Sequence, residues 1–429
     1  MTRVVSWLAV LYVGLLPVGR SGLPLNAQWG DLLLPLLVAA VVYEDGPRRW
    51  MRVRDWPIAV YLTVTLATAA LSSDPLAGLK QLVKQMSVVL IFLVFRYLAH
   101  DSVLTRKLQA AFAMSMGVVT LVSLVVVFLR FPTGVPPSIL GEGQVLPLFG
   151  LVRRLRGLFE APEMLGNALL VAFVLALGLR ASSSRARVLW TIVAAVLFAG
   201  EFLTYSHSVA GFSVAAAMFV GPMISARALR ALGWAAALTV VGVVNVASII
   251  DPRQPSQSTH YEIAPVSFEF LGARVEGSLM SYAALKRVAW GAFVDHSLTG
   301  IGPGRFTTET ERAFEEGRLT ARYRAVPPHS DLFGRLAEAG LVGGLSLLVL
   351  WAFWISRLRP GLLGGPPQRA ACAAVAGLLV NSLNADVMNF RYLWLSVAWV
   401  SVPAVLPEEG PAQTRRREPS PAASVPTGP

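Results

Sequence analysis

Residues 162–224 read PEMLGNALLVAFVLALGLRASSSRARVLWTIVAAVLFAGEFLTYSHSVAGFSVAAAMFVGPMI, and this stretch sets the architecture of the whole chain. It contains three apolar runs, 162–180, 187–205 and 208–224, which are separated by two short polar turns. A helix needs roughly 20 mostly apolar residues to cross a bilayer, because its backbone polar groups must be satisfied within the segment. The stretch therefore predicts three consecutive membrane-spanning helices.

Apolar runs recur outward from this stretch in both directions, so we expect an all-α polytopic membrane protein with about twelve transmembrane helices. The composition agrees, since 55% of the 429 residues are hydrophobic and only 14% are charged. In soluble domains about a quarter of the residues are charged. The nine further runs cover 4–18, 29–43, 56–72, 82–99, 108–130, 230–250, 332–356, 368–384 and 390–406.

The first run has a competing interpretation as a signal peptide, because it is brief and follows the basic residue Arg3. No cleavage site of the small-residue type follows it in the sequence VGRSGLP. We therefore interpret the run as a membrane helix.

The basic residues that give the formal charge of +12 are scattered between the apolar runs, which argues against a nucleic-acid-binding domain. About half of the 37 lysine and arginine residues fall in loops that are cytoplasmic if the N-terminus is inside. The positive-inside rule thus predicts that both termini lie in the cytoplasm. The single cysteine, Cys372, lies in an apolar run and is interpreted as inert packing.

Two outward segments are longer than simple connections require, and long connections are usually functional or disordered. They are residues 131–157 and 251–331, and we expect the second to form a partly helical periplasmic cap. Helical patterns over 275–293 and 311–323 flank its glycine-rich turn, GIGPGRF. The predicted organisation is helices one to nine over 1–250, the cap loop over 251–331, helices ten to twelve over 332–406, and a disordered cytoplasmic tail over 407–429.

Ionisable residues at the ends of the predicted helices gather on the extracytoplasmic side. Such groups are expensive in membrane segments and are functional candidates by default. Helix capping or interface anchoring is the competing interpretation for the aspartates, and structural ion pairing is the one for Glu201. Few of these groups lie mid-membrane, which disfavours a proton-coupled transporter. The residues are Asp31, Glu163, Glu201, His207, His329, Asp331, Arg335, Glu338, Asp386 and Arg391.

The sharpest motif is PPHSDLFGRLAEAGLVGG, residues 327–344. Its two prolines stop any helix upstream, Ser330 or Asp331 can cap the helix that follows, and its glycines give a smooth face for close packing. His329 is thereby placed at the mouth of a membrane helix. A histidine there is either a catalytic group or a satisfied interface residue, and position alone does not decide between them.

Two further stretches form an ordered pattern with this motif. They are RRLRGLFEAPEMLG at 153–166 and FVDHSLTGIGPGRF at 293–306. Together with His329, Ser330, Gly340 and Gly343, these stretches resemble the motifs of the O-antigen ligase and O-antigen polymerase superfamily. The sequence departs from the family pattern at three positions: Ser297 replaces a proline, Glu163 replaces an asparagine, and His207 in TYSHSVAG stands where arginine is common. A cationic contact at His207 is therefore in doubt.

The resemblance implies a GT-C-like glycosyltransferase in the bacterial inner membrane whose active site faces the periplasm. Its donor would be a glycan on undecaprenyl diphosphate, and its acceptor a hydroxyl of lipid A–core or of another glycan. The chain has no D-x-D pair and no metal-ligand spacing on the outer face, so we expect inverting, metal-independent transfer without a cofactor. His329 would activate the acceptor hydroxyl. Arginines, which bind phosphate bidentately, would hold the diphosphate.

The resemblance gives named candidates for these roles. The catalytic candidates are His329, Arg154 and Arg287; the diphosphate-binding candidates are Arg154, Arg156, Arg274 and Arg287; the secondary candidates are His207, Glu163, Glu338 and Arg391. Contact with phospholipid head groups is the competing interpretation for the arginines. The alternative functions are a polymerase of the same superfamily, a protein-glycosylating enzyme and, from another class, a lipid-linked sugar flippase or exporter.

Overall fold

The structure, a computed structural model, describes residues 2–19, 28–45, 55–130, 134–135, 139–146, 150–250, 266–270, 273–277, 282–319 and 321–402. Within these residues the chain forms fourteen α-helices and five short β-strands. The predicted tail, 407–429, and the parts of the predicted loops in the gaps lie outside the described residues.

Nine helices precede the cap region, and each overlaps one of the predicted apolar runs. They are α1 (Arg3–Leu15), α2 (Leu34–Asp45), α3 (Trp56–Leu71), α4 (Pro75–Leu98), α5 (Ser102–Arg130), α6 (Pro162–Ser182), α7 (Arg187–Thr204), α8 (Ser208–Val220) and α9 (Arg227–Val246). The cap contributes α10 (Ala283–Asp295) and α11 (Phe306–Glu315), and the chain ends in α12 (Asp331–Leu362), α13 (Pro366–Asn381) and α14 (Arg391–Val400).

The described helices make the protein an all-α membrane protein in the main. Six of them, α4, α5, α6, α7, α9 and α12, are long and apolar enough to cross a membrane, and three shorter ones, α1, α3 and α8, are also apolar. The predicted total of about twelve spans stays a prediction, because α2 and α14 have only 12 and 10 residues. Helix α6 lies at the centre, with 72% of its apolar window buried, whereas α9 is peripheral, with 6% buried.

Two small antiparallel sheets qualify the all-α prediction. Strands β1 (Leu140–Leu146) and β2 (Gly150–Leu155) form a hairpin in the first long loop. Strands β3 (Ala247–Ile250), β4 (Val266–Phe270) and β5 (Ala273–Gly277) form a sheet in the order β3-β5-β4. The predicted helix over 275–293 was therefore wrong at its start, because residues 273–277 alternate small or apolar with charged side chains, a period-two pattern typical of strands.

Helix α12 folds back on itself at Gly340, so the predicted run 332–356 is not one straight helix. Gly340 has φ +63° and ψ −159°, which are outside the helical region. A Cβ atom on Gly343 would lie 3.1 Å from the carbonyl oxygen of Arg335, although eight residues of a straight helix span about 12 Å. We call residues 331–339 the short arm and residues 341–362 the long arm. The glycine face predicted to pack on another helix packs on the short arm.

Residues 297–304, which include most of the sequence GIGPGRF, fill the break between the two arms, and the name glycine-rich turn is used for them below. The N–H groups of Ile301 and Gly302 donate to the carbonyls of Ala337 and Glu338 at the end of the short arm, both at 2.9 Å. At the start of the long arm, the Leu341 N–H donates to the Ser297 carbonyl at 2.8 Å. Backbone groups that the break would leave without partners are thereby satisfied within the protein, as a membrane segment requires.

Backbone packs directly on backbone at this junction, which explains the glycines. A Cβ atom on Gly340 would lie 2.3 Å from the carbonyl group of Leu298, and one on Gly300 would lie 2.4 Å from the carbonyl carbon of Glu338. Both glycines also have positive φ angles, which side chains disfavour. On its other side, the turn contacts the α3–α4 connection, where Arg305 hydrogen-bonds Ser73.

Replacing Gly340 by Ala should therefore destabilise the protein by roughly 2–4 kcal/mol, because the methyl group meets the Leu298 carbonyl and the backbone is strained. Thermal unfolding of the purified protein in detergent measures the effect. Gly233→Ala is the matched control, since Gly233 lies in α9 and nothing lies within 4 Å of an added Cβ. Equal melting temperatures for the two variants would contradict the assigned role of Gly340.

Candidate functional site

A cavity of about 530 Å³ opens among α4, the start of α6, the short arm of α12 and the segment that precedes α14. Most of the ionisable residues that the sequence singled out line this cavity. They are Glu163, His329, Asp331, Arg335, Glu338, Asp386 and Arg391. Residues that are distant in the chain thus form one polar chamber inside a mainly apolar helix bundle.

His329 lies at the wall of this cavity, immediately before the short arm. Its ring stacks on that of Tyr282, with 4.4 Å between the centroids and 10° between the planes. The ring of His207 also contacts that of Tyr282, with 5.1 Å between the centroids and 51° between the planes. Tyr282 and His329 both have positive φ angles, as does Tyr205 beside His207. Left-handed backbone is uncommon outside glycine and tends to occur at functional sites, because surrounding structure must enforce it.

Arg154 reaches the start of α6 but does not itself line the cavity. Its Nη2 donates to Glu163 Oε1 at 2.6 Å, and its Nε donates to the carbonyl oxygen of Thr204 at 3.0 Å. Both side chains of the ion pair are mostly buried. The predicted catalytic arginine is therefore paired with Glu163, which stands where the family has asparagine. Glu163 lines the cavity, so the ion pair lies at its edge.

Arg156 and Arg287 are not among the described residues that line the cavity, and for Arg274 the structure describes only the backbone. Arg156 donates to the carbonyl of Glu160 at 3.3 Å. Arg274 is in strand β5, where it pairs with Ile250 on one side and Glu269 on the other. Arg287 is half-buried on α10 and makes no hydrogen bond or ion pair with another described residue. Their predicted roles stay predictions.

The short arm contributes polar side chains to the lining of the cavity. Asp331 accepts hydrogen bonds from the N–H groups of Val387 and Met388, at 3.1 and 3.2 Å, and so fixes the turn before α14. Arg335 is 7% exposed and hydrogen-bonds the hydroxyl of Tyr61, with its guanidinium 4.3 Å from that ring. These contacts tie the short arm to α3 and to the segment before α14.

Two of the secondary candidates act as braces. Glu338 Oε1 accepts the N–H of Phe306 at 3.3 Å, which holds the start of α11 against the short arm. Arg391 donates through Nε to both carboxylate oxygens of Asp31, at 2.7 and 3.0 Å. This pair fixes α14 to the 3₁₀ turn Trp29–Leu33 that precedes α2.

A buried lysine, Lys286 of α10, is a part of the site that the sequence reasoning missed. It is 4% exposed, and its Nζ donates to Asn384 Oδ1 at 3.0 Å. The resemblance favours the adjacent Arg287, because arginine binds phosphate bidentately. Helical spacing was the available signal, since Lys286 precedes the buried residue Ala289 by three positions and so shares its face.

Burial decides the charge of the two basic groups beside Tyr282. It lowers the pKa of His207 to about 4; the carboxylate of Glu163 opposes this shift and the guanidinium of Arg154 reinforces it. His207 is thus neutral at pH 7, so it does not reproduce the cation that the family commonly has there. Burial lowers the pKa of Lys286 to about 8, which leaves it mostly charged at neutral pH.

Metal ligation is the remaining question about the site's chemistry. Across the part of the chain that the structure describes, no group of three or more His, Cys, Asp or Glu side chains is arranged to hold a metal ion. The metal-independent mechanism stays a prediction that a chelator tests.

Part of the chain matches a known protein family. Residues 192–349 match the family model described as O-antigen ligase. The match runs from α7 through the cap to the long arm of α12, so it includes His207, Lys286 and His329 and leaves out Arg154 and Glu163. No curated protein matches the chain. The match confirms the resemblance to this superfamily, and it covers the motifs at 293–306 and 327–344 but not the one at 153–166.

The low pKa of Lys286 predicts that the protein gains stability as the pH rises from about 8 towards 10. In this window the folded state has lost the lysine proton while the unfolded chain, with a pKa near 10.5, still binds it, so raising the pH favours folding. Lys286→Met should abolish a gain of a few degrees in melting temperature in detergent. The exposed Lys107→Met is the control, and an unchanged gain in Lys286→Met would refute the assignment.

Proposed function

Residues 192–349 belong to the O-antigen ligase family, and from this we propose that the protein transfers a glycan from undecaprenyl diphosphate to an acceptor hydroxyl on the periplasmic face of the inner membrane. The observation that carries the proposal is the position of His329. It lines a cavity of about 530 Å³ together with Glu163, the ion-pair partner of Arg154. The cavity is bordered by α4 and α6, which are apolar enough to cross a membrane, so a lipid-linked donor would reach it from the bilayer.

His329 is the proposed base. The acceptor oxygen attacks the anomeric carbon, the bond from that carbon to the diphosphate oxygen breaks, and the hydroxyl proton passes to the imidazole. Stacking on Tyr282 holds the ring in one orientation, and a histidine is suited to accept a proton at neutral pH. A single displacement of this kind inverts the configuration at the anomeric carbon. Neither a metal nor a cofactor takes part in the proposed reaction.

The leaving diphosphate gains charge as the bond breaks, so cations near the site would stabilise the transition state. Arg154 is the first candidate, because its Nη1 makes no hydrogen bond with a described residue while its other nitrogens fix its position. Arg156, Arg274 and Arg287 remain the further candidates for diphosphate binding. Lys286 joins them, since it is a buried cation whose charge acts on His207.

The acceptor distinguishes the functions within this class. A ligase would use lipid A–core or a similar acceptor, a polymerase would use a second lipid-linked glycan, and a protein-glycosylating enzyme would use a protein side chain. The ligase is the leading proposal, because the matched family model is described as O-antigen ligase. Transfer assays with each acceptor separate the three functions.

A flippase or exporter of lipid-linked sugars is the candidate from another class. The break in α12 at Gly340 favours it to some degree, since discontinuous helices recur in transporters. Movement of a labelled donor across proteoliposomes without covalent transfer would support this function over the transferase.

His329→Ala should lower transfer by roughly 100-fold or more, the usual contribution of general base catalysis. The assay uses purified protein in proteoliposomes with an undecaprenyl-diphosphate-linked glycan and lipid A–core, with product detected by mass spectrometry.

His296→Ala is the matched control, because His296 is exposed and does not line the cavity. Activity of His329→Ala at the control level would remove the histidine from the mechanism. Loss of wild-type activity with a chelator would overturn the metal-independent proposal.

Arg154→Ala should lower transfer by roughly 100-fold, because it removes a donor to the developing charge and leaves Glu163 without its ion-pair partner. The double variant Arg154→Ala, Glu163→Gln separates these effects in the same assay. Recovery of activity in the double variant would mean that the unpaired glutamate, and not the lost cation, caused the defect.

A further inference from the structure

The wall of the cavity formed by α4 carries polar residues that no role proposed so far uses. Gln81, Lys84, Gln85 and Val88 line the cavity at positions i, i+3, i+4 and i+7 of α4. Such spacing places their side chains along one face of the helix. The first three are polar although α4 is one of the six helices apolar enough to cross a membrane. Polar groups at such positions are expensive and call for a function.

Lys84 differs from the other lysine and arginine side chains that line the cavity. Arg335 is engaged by Tyr61 and Thr65, and Arg391 by Asp31. Lys84 is half-buried, and its Nζ forms no hydrogen bond or ion pair with a described residue. An ammonium group in a partly desolvated wall is stabilised by an anion, and lysine is a common ligand of phosphate.

Two buried polar atoms elsewhere in the cavity lining also lack hydrogen-bond partners among the described residues. Gln85 is 3% exposed and its Oε1 accepts no hydrogen bond, and Ser330 is 1% exposed and its Oγ makes none. Both residues line the cavity. A buried acceptor of this kind loses free energy unless a donor reaches it. Hydroxyl groups of a sugar are suitable donors, so the wall suits a ligand that is both anionic and rich in hydroxyls.

The position of Lys84 on α4 indicates how such an anion arrives. Lys84 lies two residues inside the apolar run 82–99, at the end of α4 that is predicted to face outward. The phosphate of a membrane lipid is held near this level of the bilayer, so a lipid-linked anion suits the position.

We propose that Lys84 and Gln85 of α4 form the subsite for the diphosphate and the first sugar of the lipid-linked donor. Lys84 binds the phosphate nearest the lipid, and Gln85 accepts a hydrogen bond from a hydroxyl of the first sugar. The proposal rests on the proposed function for the identity of the donor. It places the donor between α4 and His329, both of which line the cavity.

Binding without turnover tests the subsite. The probes are undecaprenyl diphosphate, undecaprenol and inorganic diphosphate, and the readout is the ligand-induced rise in melting temperature in detergent as a function of probe concentration. Lys84→Gln should weaken the binding of undecaprenyl diphosphate at least tenfold, and Lys84→Arg should stay within a few-fold of wild type. Lys80→Gln is the matched control, one turn earlier on α4, exposed and outside the cavity.

The outcomes are distinct. Equal affinity of Lys84→Gln and Lys80→Gln for undecaprenyl diphosphate overturns the subsite, as does a Lys84-dependent preference for inorganic diphosphate over the lipid. Undecaprenol should bind all variants alike. Gln85→Leu should weaken the glycan-loaded lipid several-fold and leave undecaprenyl diphosphate unaffected. Lys84-dependent binding in a protein that transfers no glycan would refute the proposed function and leave the subsite standing.

Discussion

Backbone hydrogen bonds between the glycine-rich turn and the two arms of α12 hold the functional part of the molecule together. A helix that breaks at Gly340 leaves carbonyls on one arm and N–H groups on the other without partners, and each such buried group costs about 1–3 kcal/mol. The turn supplies partners for Ala337, Glu338 and Leu341, and more weakly for Val342. The sum of these terms approaches the net stability of a domain, about 5–15 kcal/mol. The break is therefore stable only with the cap docked.

This docking has a geometric consequence for the cavity. Because α12 is broken at Gly340, the short arm does not continue the direction of the long arm. It forms a wall of the cavity of its own. Asp331 and Arg335 then reach the segment before α14 and the side of α3, respectively. His329, which precedes the short arm, is held against Tyr282 at the start of the cap helix α10. The position of the proposed base, His329, therefore depends on both the cap and the break in α12.

The sequence indicates the helices well because burial in lipid imposes a simple rule on composition, and the runs around α4 to α9 appear as helices. It also brings His329 and Glu163 to the same side, since both begin predicted helices. It could not reveal the break in α12, because the apolar pattern continues through Gly340. The need for glycine at this position becomes evident only from its contact with residues 298 and 299. Glu163 looked like a simple departure from the family pattern, and its ion pair with Arg154 required three dimensions to find.

The cations around the cavity divide into two kinds, and this division explains why some candidates were found from sequence and others were not. Arg154 and Arg391 are fixed by carboxylates that complement them in charge. A paired arginine of this kind keeps its position without a ligand and contributes a preorganised field. Lys84 and Lys286 have no carboxylate partner among the described residues, and each is flanked by amide side chains, Gln81 and Gln85 for the first and Asn384 for the second. Amides satisfy polar atoms without neutralising a charge, so these lysines retain their attraction for an anion. Sequence patterns identify the first kind, because Arg154 lies in the motif at 153–166 and Arg391 begins α14. Only the faces of α4 and α10 identify the second.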